Sequence, residues 1–178
     1  SIVMGAETTT ICIARYGVLI DSETIAVGGN WIDAELAKQF KIQTYDASGN
    51  AYLDVEKVRE WKIESGVSLK TAIGERERMT KQLYNSVLDR VAATVSQMLA
   101  STRVRDSLSR QRLSVMLAGG ATMVDGFADL LTEQLIQHDI ADRVLTVRTA
   151  MDPETAVVRG ALIFGELESR AMVAEGAA

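Results

Sequence analysis

The hydrophobic pattern of this chain first changes period near residue 30, and that change constrains the fold more than any other feature. Over residues 1–27 the apolar and β-branched residues fall into three short blocks, "SIVM", "TTTICIARY" and "VLIDSETIAV", separated by "GAE" and by Gly17. Such blocks are the signature of strands, and the spacing predicts two antiparallel hairpins in succession. From residue 31 the period lengthens to that of helices. In "WIDAELAKQFKI" the residues Ile32, Leu36, Ala37 and Phe40 share a face, and Asn30 is placed to cap the helix. The segment "YDASGNAYLD" reads as a loop. A helix is expected near 54–65, ending at Gly66. The longest helix is expected over 75–101, where Met79, Leu83, Val87, Val91, Val95, Met98 and Leu99 follow helical spacing. "LSVMLA" reads as a buried strand, "MVDGFADLLTEQLIQ" as a helix despite Gly126, and "RVLTVR" as a strand. Asp152-Pro153-Glu154 opens a last helix to about Arg170, and the tail from Ala171 is expected to fray.

Hairpins followed by helices, strand, helix, strand and helix describe an α/β layer, a mixed sheet with helices packed on it. No repeat, low-complexity tract or interior linker divides residues 1–178, and a chain of this size can bury roughly 70% of its unfolded surface. The net charge of −5 is spread rather than blocked, which argues against a dedicated nucleic-acid or anionic-membrane surface. No segment approaches the ~18 apolar residues of a membrane span, and the first residues lack the pattern of a signal peptide. The single cysteine, Cys12, excludes a disulfide framework and a thiolate metal site. Together these features suit a cytoplasmic protein. The chain opens directly on a strand-like segment, which suggests a piece of something longer.

Chemistry is concentrated in the glycines. Gly119 and Gly120 follow a buried strand in "VMLAGGATMVDGFADLL", where glycine lets a backbone approach a ligand or a neighbouring element. Gly5 lies between two β blocks, Gly28 and Gly29 close the hairpin region, and Gly160 sits in "DPETAVVRGALIFGE". In an open α/β layer, ligands sit at the C-terminal ends of strands, where glycine-rich turns and helix N-termini favour anions.

The order and spacing of these motifs resemble the second lobe of the actin, heat-shock-chaperone and sugar-kinase superfamily, most nearly the bacterial actins of the MreB and MamK type. "VMGAETT" stands where that family has a D-x-G-G-G-T-T phosphate loop, and Gly28-Gly29-Asn30-Trp31-Ile32-Asp33 matches its G-G-[DN]-x-x-[DN] helix start. "KIESG" matches a K-x-E pair, Ala118 to Thr122 the adenosine motif, and Asp152 to Ala161 the closing D-P-x-x-A-V-x-x-G-A helix. The resemblance implies a ribonuclease-H-like fold, with a small-subdomain insertion reduced to the region around 43–79. It implies ATP or ADP with magnesium as cofactor. Gly5, Thr8 and Thr9 would face phosphates beside Gly28 and Gly29. Gly119, Gly120 and Ala121 would lie against adenine and ribose, with Lys62 and Glu64 bonding to the nucleoside.

Two departures bear on the chemistry. Val3 stands where the family has the aspartate that anchors magnesium, and a valine can neither ligate a hard cation nor bond its waters. Ala6 and Glu7 replace two glycines, and Glu7 would set a carboxylate beside a polyphosphate, repelling it by about 4 kcal/mol at ~4 Å and an intermediate dielectric. The phosphate site is therefore read as degenerate, with Glu7 the one candidate base and no metal ligands assigned. The first phosphate loop belongs to the other lobe, so this polypeptide alone is not expected to hydrolyse ATP. The expected role is a scaffold that assembles head to tail into filaments. The alternatives are an ATPase completed by a first lobe and a non-polymerising adaptor.

Overall fold

The computed structural model describes residues 1–109 and 111–176, with side chains described to Arg170. Seven strands and six helices follow in the order β1 (Ile2–Met4), β2 (Thr9–Arg15), β3 (Val18–Ile25), α1 (Gly29–Gln39), β4 (Gln43–Tyr45), β5 (Ala51–Leu53), α2 (Val55–Glu64), α3 (Glu75–Ala100), α4 (Thr102–Leu108), β6 (Leu113–Ala118), α5 (Phe127–Gln137), β7 (Val144–Thr149) and α6 (Ala156–Gly176). Short 3-10 turns cover Gly120–Met123 and Ala141–Arg143.

The main sheet has the order β3-β2-β1-β6-β7. The two predicted hairpins pair antiparallel, and β6 and β7 add in parallel beside β1. Alternation decides which face is buried. Ile2 and Met4 of β1, and Thr9, Ile11 and Ile13 of β2, point into the core, while Val3, Thr10 and Cys12 take the other face and are half-buried. The core face is covered chiefly by α3 and α5. Tyr84, Val87, Leu88, Val91 and Ala92 recur at three- and four-residue spacing along α3 and are fully buried. Phe127, Leu130, Leu131 and Leu135 do the same on α5, and Phe127 meets Tyr84 edge to face at 6.0 Å.

The helix starts are chemically specified. Asp54 accepts a hydrogen bond from the Lys57 amide at 3.0 Å, and Glu77 accepts from the amides of Ile73 and Gly74 at 2.7 and 3.0 Å. Four expectations need correction. Asn30 does not cap α1; Gly28 does, and Asn30 lies inside the helix with its side chain engaged elsewhere. The expected loop at 45–54 contains the hairpin β4–β5, closed by Asp46, whose carboxylate accepts from the amides of Ser48 and Asn50. Gly126, in left-handed backbone, separates a 3-10 turn from α5, so "MVDGFADLL" is not one helix. Finally, α6 begins at Ala156, three residues after Pro153, and its backbone stays helical to Gly176.

Candidate functional site

The C-terminal ends of β1 and β6 lie side by side, because Val3 pairs with Ala118. The turns that leave them, with the start of α1 and the end of α2, surround a cleft of about 800 Å³. Its lining is part apolar, from Ile63, Val67, Ala121 and Val124 with the buried Tyr84, and part polar, a wall of Asn30, Asp33, Arg59 and Lys62. Gly5 and Gly29 line the cleft on one side, Gly120 and Glu154 on another.

The polar wall is held by a network joining three elements. Asp33 on α1 is 2% exposed, and Lys62 on α2 brings its ammonium onto Oδ1, which has no other partner among the described residues. The Nε of Arg59 is 3.8 Å from the same carboxylate. Arg59 also donates to Asn30 Oδ1 at 2.7 Å and to both oxygens of Glu56 at 3.1 and 2.9 Å. Asn30 in turn donates from Nδ2 to Glu7 Oε1 at 2.5 Å. Below them, burial raises the Tyr84 phenol well above its ordinary range, and the charge of Asp33 adds to the effect. Its hydroxyl therefore stays protonated and donates to the Ala121 carbonyl at 3.3 Å.

The turn after β1 is folded onto the start of α1. The amides of Gly29 and Asn30 donate to the carbonyls of Gly5 and Ala6 at 2.9 and 2.8 Å. These are orphan donors of a helix N-terminus, the groups that would otherwise receive an anion. Gly28 is required by this approach, since a Cβ there would lie 2.5 Å from the Ala6 carbonyl oxygen. Gly119 meets β1 in the same way, and its amide donates to the Pro153 carbonyl at 2.7 Å.

Of the residues expected to touch a nucleotide, Gly5, Gly29, Lys62, Gly120 and Ala121 line the cleft. Thr9 does not face it: the residue is fully buried and its hydroxyl donates to the Val27 carbonyl at 2.7 Å, because the alternation of β2 turns it inward. Thr8 is exposed beyond the cleft lining, and Glu7 is tied back to Asn30. Glu64 lies on the far side of α2, in a second groove with Trp61 and Arg76, since residues 62 and 64 of a helix point about 200° apart. Gly28 and Gly119 act through backbone packing. Asp33, Arg59, Tyr84 and Glu154 were not singled out as site residues. Asp33 was visible as the last position of the glycine-pair motif, but nothing in the sequence announces that its counter-ion comes from another helix.

The donor set divides a magnesium nucleotide in two. A lining that mixes apolar and polar side chains fits a nucleoside. The magnesium position is not met, because Val3 takes the other face of the sheet and Met4 is fully buried. Among the described residues, no three acidic, histidine or cysteine side chains gather to hold a metal ion.

The far rim is a strap, residues 66–73, pinned to the turn before α5. Ser68 donates to Asp125 Oδ2 at 2.7 Å, the Leu69 amide donates to the Asp125 carbonyl at 2.8 Å, and Lys70 reaches Asp129 at 3.0 Å and Asp125 at 3.5 Å. The hydrogen bond from Ser68, helped by the charge of Lys70, holds the Asp125 carboxyl below its usual 3.8. The hydrogen bond to Asp129, with the charge of Asp125, raises Lys70 above 10.5. The tether is thus complete between those two values. It is lost as pH falls through the depressed Asp125 value or rises through the elevated Lys70 value. The protection factor of the Leu69 amide in hydrogen exchange is expected to drop at pH 3 relative to pH 6, and Lys70→Ala should lower it at pH 6. Equal protection in all three cases would show that the ions do not hold the strap.

Sheet order and the position of the cleft at the ends of β1 and β6 are those of an actin-like, ribonuclease-H-like fold. A family model named volactin matches residues 1–164, and the chain belongs to the volactin family. No curated protein matches it significantly in sequence. Similar solved structures include MreB 5 of Spiroplasma citri bound to AMPPNP, with 15% identity, a TM-score of 0.58, and 98% of this chain and 54% of that one covered. A second is the activator of the 2-hydroxyisocaproyl-CoA dehydratase from Clostridium difficile with bound ADPNP, at 14% identity and a TM-score of 0.57, covering 98% of this chain and 62% of that one. A third is a PilM-PilN type IV pilus biogenesis complex, at 20% identity and a TM-score of 0.54, covering 89% of this chain and 44% of that one. The chain thus spans about half the length of the structures it matches. No helix among the described residues is long and apolar enough to cross a membrane.

Proposed function

We propose that this chain is the second lobe of an actin-like scaffold protein that assembles head to tail, with a cleft that retains nucleoside recognition and has lost its magnesium-phosphate half. The observation that carries this reading is the asymmetry of the cleft. Its apolar lining and the turn at Gly120 and Ala121 suit adenine and ribose. Its phosphate side has Val3 for a metal anchor, and the first amides of α1 are spent on loop carbonyls. The bound AMPPNP and ADPNP of two similar structures support a nucleotide as the ligand class. The exposed apolar side chains of α6, among them Val158 at 71% and Phe164 at 65%, suit a protein whose other lobe covers that helix. A patch of this kind is otherwise an aggregation liability.

Calorimetric titration tests the cleft. Adenosine and ATP are expected to bind within about tenfold of one another, a difference of ~1.4 kcal/mol, and magnesium should add little. Ala6→Gly with Glu7→Gly should raise ATP affinity while leaving adenosine unchanged. A strong preference for magnesium ATP in the unaltered chain would make the competent-ATPase reading the better one. Assembly is tested by sedimentation over a concentration series. A pellet above a threshold concentration, with or without nucleotide, is expected. Failure to pellet under any condition would favour an adaptor lobe, a role for which the PilM-PilN complex offers a structural parallel.

A further inference from the structure

The turn from β1 to β2 closes where the Gly5 amide donates to the Thr8 carbonyl at 2.9 Å. Ala6 and Glu7 form its tip, and neither takes left-handed backbone, so the turn is built for residues that carry a Cβ. From this tip the Glu7 side chain reaches α1, where Asn30 Nδ2 donates to its Oε1 at 2.5 Å. Asn30 Oδ1 in turn accepts from the Arg59 guanidinium of α2 at 2.7 Å. A carboxylate only accepts and a guanidinium only donates, so a single orientation of the Asn30 amide serves both. Segments 23 and 29 residues apart in sequence are thereby joined, from an anion through an amide dipole to a cation.

These contacts stand on the side of the cleft where a phosphate was expected. Gly5, Ala6, Asn30 and Arg59 line it, and the first amides of α1 are already taken by the Gly5 and Ala6 carbonyls. Two other carboxylates of the cleft are committed elsewhere, Asp33 to Lys62, and Asp125 to Ser68 and Lys70. Glu154 stands apart, against Gly120. Glu7 is therefore the anion that Asn30 receives. Arg59 is fixed to its own helix by Glu56 and lies 3.8 Å from Asp33, so whatever holds Arg59 also holds α2. A phosphate entering from solution meets an Asn30 that is occupied and a fixed like charge beside it.

We propose that Glu7 is a built-in anion that takes the part of a nucleotide phosphate. Through Asn30 it holds Arg59, and with it α2, against the main sheet when no ligand is bound. This assignment rests on the loss of the magnesium-phosphate half proposed above and identifies what replaces it. Glu7 is a positioning residue: it acts on α2 through Asn30. Hydrogen bonds to an ionised group are stronger than neutral ones, and the exposure of Glu7 makes this link weaken as salt rises. The buried Lys62–Asp33 pair holds the same helix, so removing Glu7 loosens α2 without unfolding the chain. Removal also frees Asn30 Nδ2 to receive an anion from solution, and takes away the charge that keeps such an anion out.

Hydrogen exchange of the α2 amides from Arg59 to Glu64, measured in the whole chain with inorganic pyrophosphate as the probe anion, tests the link. In the unaltered chain their protection is expected to be the same with and without pyrophosphate. In Glu7→Ala it should fall about tenfold, the size of one hydrogen bond to a charged group at an exposed site, while the α3 amides stay unchanged. Pyrophosphate should restore most of that loss, and by calorimetry it should bind this variant at least about tenfold more tightly than the unaltered chain. Glu7→Gln keeps the shape and an acceptor but not the charge, and should lose part of the protection. Unchanged α2 protection in Glu7→Ala overturns the assignment, as does a loss that pyrophosphate fails to restore. Full protection in Glu7→Gln overturns it too, because charge would then not be what Glu7 supplies. So does an equal loss in α3 and α2 in both variants, since Glu7 would then stabilise the whole fold instead of placing α2. Each of these leaves the lost-phosphate reading standing. Pyrophosphate that raises α2 protection in the unaltered chain overturns both.

Discussion

Gly119→Ala is expected to cost about 3 kcal/mol or more of folding stability, whereas Gly120→Ala should be nearly neutral. At Gly119 the backbone has φ +92 and ψ 147, a region that residues with a Cβ almost never occupy and that costs of order 1–3 kcal/mol by itself. A Cβ there would also sit 2.2 Å from the Met4 carbonyl oxygen and 2.7 Å from its carbon, contacts that only a shift of β1 can relieve. At Gly120 the nearest atom is Oε1 of Glu154 at 3.5 Å, an ordinary contact with the end of a flexible side chain. In a domain of this size the difference amounts to a fall in melting temperature of roughly 6–12 °C. Thermal melts of the two variants side by side check it. Equal melting temperatures would mean that β1 and β6 do not approach as described. Gly120→Ala then becomes the useful probe of the cleft, since it adds a methyl to the lining of a folded protein.

Lys62→Met should destabilise the chain by about 3 kcal/mol, the lower part of the range for stranding one member of a buried ion pair. Asp33 keeps almost no solvent contact, and the nearest remaining cation, Arg59, is 3.8 Å away and already shared with Glu56 and Asn30. Asp33→Asn combined with Lys62→Met removes both charges and should recover most of the loss. The interaction between the two sites then reads directly in a double-mutant cycle by urea unfolding. If Lys62→Met costs less than about 1 kcal/mol, the pair is effectively solvated. Lys62 would then be free to serve a nucleotide instead of holding α2 on α1.

The strands at residues 1–27 and the long helix at 75–100 were legible because each meets a single buried surface and so repeats one period. The β4–β5 hairpin was not, because Tyr45 and Tyr52 face solvent and Asp46, Ser48, Gly49 and Asn50 carry the composition of a loop. The break at Gly126 was missed because Phe127, Leu130 and Leu131 continue a helical pattern that Met123 and Val124 happen to extend. Within the cleft, the glycine turns were visible by composition, while Thr9 and Glu64 were misplaced. Their orientation depends on strand alternation for Thr9 and on which face of α2 packs inward for Glu64.

What the sequence by itself determined is therefore local: the order of the main-sheet strands and the longer helices, the glycine turns at strand ends, and the absence of a carboxylate at position 3. Periodicity and backbone sterics act over a few residues, so a single chain of letters carries them. Only the tertiary structure decided that Lys62 answers Asp33 across two helices and that Glu7 is tied to Asn30 and, through it, to Arg59. It alone decided that the two glycines at 119 and 120 do different work. Those relations depend on distances between segments far apart in sequence, which are fixed only when the core closes.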